Sequence, residues 1–442
     1  MRVLLVYEAP AKGLYLNELQ PLGILYNAAV LESRGIKTDV IDYTVCGRKN
    51  IDYKLYDLIG FSMNSSNVER TMKAINQAKT ISRIITVAVG GPHARLVPEL
   101  LLKDPNVDYV IVGEAEDLIA NLIEKKDKKE VKGICYKENG KIIRTKPSLP
   151  YSNLDDLPFP AIEKVPYKKY NMTIKKKSPV CAINTSRGCP HGCIFCHHSL
   201  GHKYRARSPE NVVREIIHLK RLGVNELWVA DDSFTEDMER AEQICDLIIK
   251  NKIDISISLA NGIRADKINH RLLSKLKDAG VWLIAFSPEV GLDASLAQIK
   301  KGFLLKDVEK AIYDCKALGI RTQTSFIMGF PWETHDSLDL TEKYALELDA
   351  DFLCLNRLHP YPGTPLWDMI CDAQISLKDE KKGFEDRRYY HTKLSEKDIL
   401  VYIRRLNRKF YNPVKTFKII NLIGLKSTLR MMKYALSSSS LY

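Results

Sequence analysis

Short apolar runs alternate with amphipathic stretches along the first 127 positions. The runs at 3–7, 38–42, 58–62, 85–89 and 109–112 read as buried strands, and the 3.6-residue periods at 22–33, 68–81 and 117–125 read as helices. This alternation predicts an α/β unit: an open, doubly wound parallel sheet of Rossmann type with helices on both faces. Ligands of such sheets bind beyond the carboxyl ends of the strands. Glycine turns are expected there, in Gly90-Gly91-Pro92-His93 and in Gly113-Glu114.

Glu138-Asn139-Gly140 between two apolar runs is a hairpin signal. Pro147, Pro150, Pro158 and Pro160 follow, with Asp155-Asp156 among them, and favour an extended connection. Alternation resumes at a longer period, with strands expected at 181–185, 227–230, 255–259, 282–287, 322–327 and 352–356. Helical patterns fall at 212–222, 239–250, 271–279, 308–318 and 336–348. Six such units suit a partial (β/α)6 barrel, with chemistry at the strand carboxyl ends. The chain thus divides into a sheet domain (1–130), a hairpin and linker (131–175), a barrel (176–372) and a C-terminal region (373–442).

In that last region Ser395 can cap a helix carrying Ile399, Tyr402, Ile403, Leu406 and Phe410 on one stripe. Arg404, Arg405 and Arg408 lie towards its polar side, Pro413 ends it, and a second apolar stretch covers 417–423.

With 45% apolar and 27% charged residues in 442, the composition excludes a disordered chain, a collagen-like repeat and a small disulfide scaffold. No apolar run approaches the length of a spanning helix. The first residues enter a strand pattern without signal-peptide architecture, so the cytoplasm is the expected location. The net charge of +13 is concentrated: residues 401–442 hold nine Lys/Arg and no Asp or Glu, which leaves +4 for the rest. A near-neutral body with a basic tail is unlike a general nucleic-acid binder, and no specific nucleic acid is expected. The tail reads either as a lid on the barrel with a solvated basic face, or as a contact with an anionic membrane surface or lipid-like substrate, which would make the protein peripheral to a membrane.

Seven of the ten cysteines are scattered (46, 135, 181, 245, 315, 354 and 371) and read mostly as small buried hydrophobes. Cys189, Cys193 and Cys196 cluster in Arg187-Gly188-Cys189-Pro190-His191-Gly192-Cys193-Ile194-Phe195-Cys196. A structural zinc would need a fourth ligand from His191, His197, His198 or Cys181, and no second ligand pair follows. Three thiolates on a [4Fe–4S] cluster would instead leave one iron open. The open iron–sulfur site is the leading reading and zinc the alternative.

Cys-x3-Cys-x-aromatic-Cys after a first barrel strand resembles the signature of radical S-adenosylmethionine enzymes. Ala230-Asp231-Asp232-Ser233-Phe234, Asn261-Gly262-Ile263-Arg264-Ala265-Asp266, Ser287-Pro288-Glu289-Val290-Gly291, Gly329-Phe330-Pro331-Trp332-Glu333-Thr334 and Tyr361-Pro362-Gly363-Thr364-Pro365-Leu366 resemble the family's later segments. Trp332 stands where a glycine is usual. In the N-terminal half, Pro21-Leu22-Gly23-Ile24-Leu25-Tyr26, Tyr56-Asp57-Leu58-Ile59-Gly60-Phe61-Ser62, Gly90-Gly91-Pro92-His93-Ala94 and Val112-Gly113-Glu114-Ala115-Glu116 resemble the class with a cobalamin-binding domain.

The resemblance implies a cluster on Cys189, Cys193 and Cys196, with Phe195 bordering the adenine of S-adenosylmethionine. Glu289 and Arg264 would hold its ribose or carboxylate, or merely form salt bridges. Asp231 and Asp232 would bind its ammonium, or cap the next helix. Ser62, Gly90, Gly91, His93, Gly113 and Glu114 would border cobalamin. The first loop, Glu8-Ala9-Pro10-Ala11-Lys12-Gly13, lacks the histidine that ligates cobalt in many cobalamin proteins. The resemblance further implies reduction by a flavodoxin or ferredoxin, reductive cleavage of S-adenosylmethionine to a 5′-deoxyadenosyl radical, and methylation of an unactivated carbon. A non-methylating cyclisation or rearrangement is the alternative. A methylthiotransferase of tRNA would need a second three-cysteine cluster in its N-terminal domain, where this chain has only Cys46 and Cys135. A zinc-stabilised nucleic-acid module is the reading from a different class. No residue is assigned a catalytic role.

Overall fold

The computed structural model describes residues 1–10, 19–47, 51–125, 127–370 and 393–436. They fall into two units, one ending at Tyr170 and the other beginning at Asn171.

In the first unit, β1 (Arg2–Tyr7), β2 (Lys37–Asp42), β3 (Leu58–Ser62), β4 (Thr86–Gly90) and β5 (Tyr109–Ile111) lie parallel in the order β2-β1-β3-β4-β5. Val3 to Val6 are wholly buried, as a strand covered on both faces requires. Strand order reverses between β1 and β3, the place where such sheets open a crevice.

The hairpin does not belong to a separate linker. β6 (Ile134–Glu138) pairs antiparallel with β5, and β7 (Lys141–Arg144) pairs with β6, so the sheet has seven strands. An open β5 edge would expose unpaired backbone groups, and the hairpin satisfies them. Its turn places Asn139 and Gly140 at φ of 50° and 75°, the left-handed conformations that Asn-Gly supplies. The proline-rich stretch also packs on this unit. Leu154 and Leu157 bury against Val30, and the Tyr170 hydroxyl donates to the buried Asp42 carboxylate at 2.5 Å.

In the second unit, β8 (Val180–Ile183) is followed by a short antiparallel pair, β9 (Ser186–Arg187) and β10 (Arg205–Ala206). Then come β11 (Glu226–Val229), β12 (Ser256–Ile263), β13 (Val281–Glu289), β14 (Arg321–Met328) and β15 (Phe352–Arg357). The six main strands pair in parallel in chain order, β8-β11-β12-β13-β14-β15, which is the expected partial barrel. On β14 the two-residue period is plain: Thr322, Thr324, Phe326 and Met328 are buried, while Gln323, Ser325 and Ile327 are half-exposed. Helices Pro209–Arg221, Met238–Lys250, His270–Asp278, Leu305–Ala317 and His335–Glu347 intervene between strands. Four begin on capping side chains, Ser208, Asp237, Asn269 and Thr334.

The C-terminal helix Glu396–Phe410 starts at a Ser395 capping box and buries Ile399, Tyr402, Ile403, Leu406 and Phe410. Arg405 donates to Glu342 at 2.6 Å and also bonds Asp339, while Lys409 bonds Glu342. Pro413, expected to end this helix, is also the first residue of the next, Pro413–Ile423; Gly424 at φ 80° then leads into Leu425–Leu436. Among the described residues no helix is long and apolar enough to cross a membrane.

Candidate active site

The cysteine loop leaves the barrel just after β8. Pairing of β9 with β10, Ser186 with Ala206 and Arg187 with Arg205, pins its two ends together. Gly188 has φ 86°, and a Cβ there would lie 2.3 Å from the Lys203 carbonyl oxygen, so only glycine fits. The Cys189 N–H donates to the Gly201 carbonyl at 3.1 Å. Ile194 donates to the Ile299 carbonyl at 3.1 Å and accepts from the Leu366 N–H at 3.0 Å, which ties the loop to two distant segments. His191 Nε2 lies 2.7 Å from the Glu236 carboxylate.

Burial raises all three thiol pKa values, Cys196 up to about 12, and Cys193 and Cys189 add repulsion at Cys196. At Cys193, Lys301 is the largest opposing influence. Among the described residues no three His, Cys, Asp or Glu side chains converge on a site for one metal ion. Three thiols carried on one glycine-pinned loop, each within electrostatic reach of the others, are the donor set an iron–sulfur cluster takes, and bound iron would draw them to thiolates.

Glu289 ends β13 with φ 68°, an unusual backbone for a non-glycine residue. Its buried carboxylate lies 2.7 Å from the Lys301 ammonium. Burial works against charge on both and lifts Glu289; the carboxylate and the neighbouring Cys193 raise the Lys301 ammonium despite it. Lys301 also stands 5.7 Å from the Phe195 ring centre, and its carbonyl accepts from Arg264 at 2.7 Å. The Arg264 guanidinium itself pairs with Asp266 at 2.8 Å. The Glu289 pair is therefore internal, while Arg264 makes the bland salt bridge in this state.

Asp231 is buried, and its oxygens accept from Thr185 N–H at 2.6 Å, the Thr185 hydroxyl at 2.5 Å and the Ser186 hydroxyl at 2.7 Å. It braces the end of β8. Asp232 is exposed and accepts from the Gly188 N–H at 3.2 Å. Neither caps the following helix, where Asp237 does so.

Phe195 meets Phe330 edge-on at 5.9 Å, and Phe330 stacks on Trp332 at 5.3 Å. The turn carrying those rings is held by Glu333, whose buried carboxylate accepts from the Gly329 and Phe330 N–H groups at 2.5 and 2.9 Å. Burial pushes this carboxyl up to about 7 against those two bonds. Sequence reasoning assigned no role to Glu333 or Lys301. Lys301 lies in Lys300-Lys301-Gly302-Phe303, and nothing in that string distinguishes it from its exposed-type neighbour.

In the first unit, Ser62 and Gly90 end β3 and β4, and Glu114 is half-buried beyond β5. His93 lies in a short helix, Pro92–Leu96, where the sequence suggested only a turn. Its ring is fully buried, with Nδ1 at 3.1 Å from the Ser65 hydroxyl, so it is enclosed by the unit's own chain. A Cβ on Gly91 would lie 2.6 Å from the Met63 carbonyl oxygen, and one on Gly113 would lie 2.2 Å from Ser148 Oγ. Internal packing thus accounts for both glycines. A Cβ on Gly90 would make only an ordinary contact with Ile111. The half-buried Ser62 ends β3 beside the reversal point, and its hydroxyl is of a kind that a corrin's amide side chains can bond, whereas the side chains of Asn64 and Ser65 just past it are bonded to Tyr7 and His93.

Comparison with known proteins accords with this geometry. Residues 183–345 match the radical SAM superfamily and residues 13–123 match the B12 binding domain. An uncharacterized methyltransferase of Pyrococcus horikoshii is 32% identical over 85% of this chain and 84% of its own. The anaerobic magnesium-protoporphyrin IX monomethyl ester cyclase of Rubrivivax gelatinosus is 26% identical over 82% of this chain and 68% of its own. In fold, the chain is similar to the radical S-adenosylmethionine methyltransferase TsrM of Kitasatospora setae, solved with cobalamin and a [4Fe–4S] cluster, with a TM-score of 0.71 at 16% identity over 93% of this chain and 89% of that one. A six-stranded barrel opening on a three-cysteine loop, preceded by a B12-type sheet, makes this chain a member of the radical SAM enzymes that carry a B12-binding domain.

Proposed function

We propose that this enzyme methylates an unactivated carbon, with a [4Fe–4S] cluster held by Cys189, Cys193 and Cys196 and with cobalamin on the first unit. The observation that carries the reading is the glycine-pinned three-thiol loop beside a buried lysine–carboxylate pair. When bound, the cluster supplies a low-potential electron to the sulfonium of S-adenosylmethionine, and cobalamin supplies a methyl carrier.

The chain's own groups would position the sulfonium compound. The Lys301 ammonium can meet its carboxylate and Glu289 its hydroxyl or ammonium hydrogens, while the Phe195 and Phe330 rings form an apolar wall for a purine. Cobalt would take no histidine from the first loop. A reductant such as flavodoxin or ferredoxin completes the cycle, and the cytoplasm suits such donors.

Anaerobic reconstitution should give about four irons per chain. Alanine at all three clustered cysteines should abolish incorporation, whereas alanine at the buried Cys245 or Cys315 should leave it intact. Cobalamin bound to the protein should show a base-off spectrum. With substrate and reductant, methylation should yield both 5′-deoxyadenosine and S-adenosylhomocysteine. A second reading, non-methylating cyclisation, is favoured by the similarity to the magnesium-protoporphyrin cyclase; 5′-deoxyadenosine without S-adenosylhomocysteine would select it.

A further inference from the structure

The two last described helices differ from the one before them. Helix Glu396–Phe410 turns its apolar stripe inward and commits Arg405 and Lys409 to Glu342 and Asp339. Helices Pro413–Ile423 and Leu425–Leu436 expose large apolar groups instead: Val414 is 68% exposed, Phe417 65%, Leu425 57% and Leu429 60%.

Helical spacing aligns them. Val414, Phe417, Lys418 and Asn421 fall on the outward face of the first helix, and Leu425, Lys426, Leu429 and Lys433 on that of the second. Ile419, Thr428 and Met431 take the inward faces. Lys418, Lys426 and Lys433 are exposed and form no ion pair with a described residue, and residues 413–442 contain no Asp or Glu.

We propose that these two helices dock the enzyme on an anionic lipid bilayer. Apolar side chains interleaved with unpaired lysines suit a headgroup boundary: the hydrocarbon enters the acyl region while each ammonium stays among lipid phosphates. A nucleic-acid groove has no use for four exposed aliphatic and aromatic groups aimed outward, and a protein partner complementary to this face would have to be both apolar and acidic. The length is also right for lying on a membrane rather than crossing it, because neither helix is long enough to span. The inference rests on this surface and not on the radical chemistry, so its failure would leave the catalytic reading untouched.

Vesicle co-sedimentation of the full-length, anaerobically purified enzyme tests it. Vesicles containing phosphatidylglycerol should retain the protein, and vesicles of phosphatidylcholine alone should not. Each lysine near an anionic surface is worth about fivefold in partition, so K418Q/K426Q/K433Q should weaken retention by roughly a hundredfold. F417S/L429S should weaken it by about tenfold, through lost apolar insertion. All these side chains are exposed, so far-ultraviolet circular dichroism and iron content should match the wild type.

Three results would overturn the proposal. One is equal binding to the two vesicle types or to neither. Another is retention that the substitutions do not alter. The third is a dimer in gel filtration that F417S/L429S dissociates, which would assign the face to a second copy of the chain.

Discussion

The Lys301 ammonium lies 2.7 Å from the Glu289 carboxylate, at the end of β13 and beside the cysteine loop. Each charge needs the other, because neither is well solvated. Glu289→Gln or Lys301→Met alone should therefore destabilise the protein by about 3 kcal/mol, as breaking a buried pair does. The double variant should lose much less than the sum of the two. Denaturant melts of the four proteins check this, and additive losses would show that the two groups do not support each other.

Glu333 titrates near neutrality. Its folded pKa is about 7 against an ordinary 4.5, so between those values the native state binds more protons than the unfolded one. Its contribution to stability is fully present below about 4.5 and is lost as pH rises through about 7. The loss amounts to ~3 kcal/mol. Gln at this position keeps the oxygen that accepts from Gly329 and Phe330 but cannot ionise. Stability measured against pH should fall less steeply for Glu333→Gln than for the wild type across that window. Parallel curves would contradict the assignment.

Gly188→Ala should damage the cysteine loop selectively. The added methyl would meet the Lys203 carbonyl at 2.3 Å and must also adopt φ 86°. Iron content after reconstitution should drop well below the wild-type value, while Gly192→Ala, whose Cβ meets nothing within 4 Å, should reconstitute normally.

Tyr170→Phe removes the hydroxyl that donates to the buried Asp42 carboxylate at 2.5 Å. A bond to a charged, buried acceptor is worth about 2 kcal/mol. Thermal unfolding should detect this loss. Faster proteolysis in 150–180 should accompany it, because this bond fastens the end of the proline-rich stretch to the first unit.

Element type and order were legible in the chain because burial imposes a period. Helices Leu22–Ser33 and Val68–Ile81 have the bounds their apolar spacing predicts, and the eleven expected parallel strands of the two sheets are offset by a few residues at most. The hairpin of β6 and β7 was visible through its Asn-Gly turn, but its partner in the sheet, β5, was not. Short helix Pro92–Leu96 was hidden by a Gly-Gly-Pro string that equally well opens a turn. The cysteine triplet was legible from spacing alone.

The sequence by itself determined the alternation of strands and helices, the three-cysteine loop and the segregation of positive charge into the tail, because periodicity, ligand spacing and net charge are local properties of a chain. Only the tertiary structure decided which charges are buried and which glycines are confined. Asp231 became a brace for β8, and Lys301 became the partner of Glu289. Gly91 and Gly113 proved to be fixed by Met63 and Ser148. It also separated the basic residues of the tail into those held by Glu342, Asp339 and Asp349 and those left facing solvent. These outcomes depend on groups far apart in sequence whose desolvation and contact are settled together when the chain packs, and no local pattern encodes them.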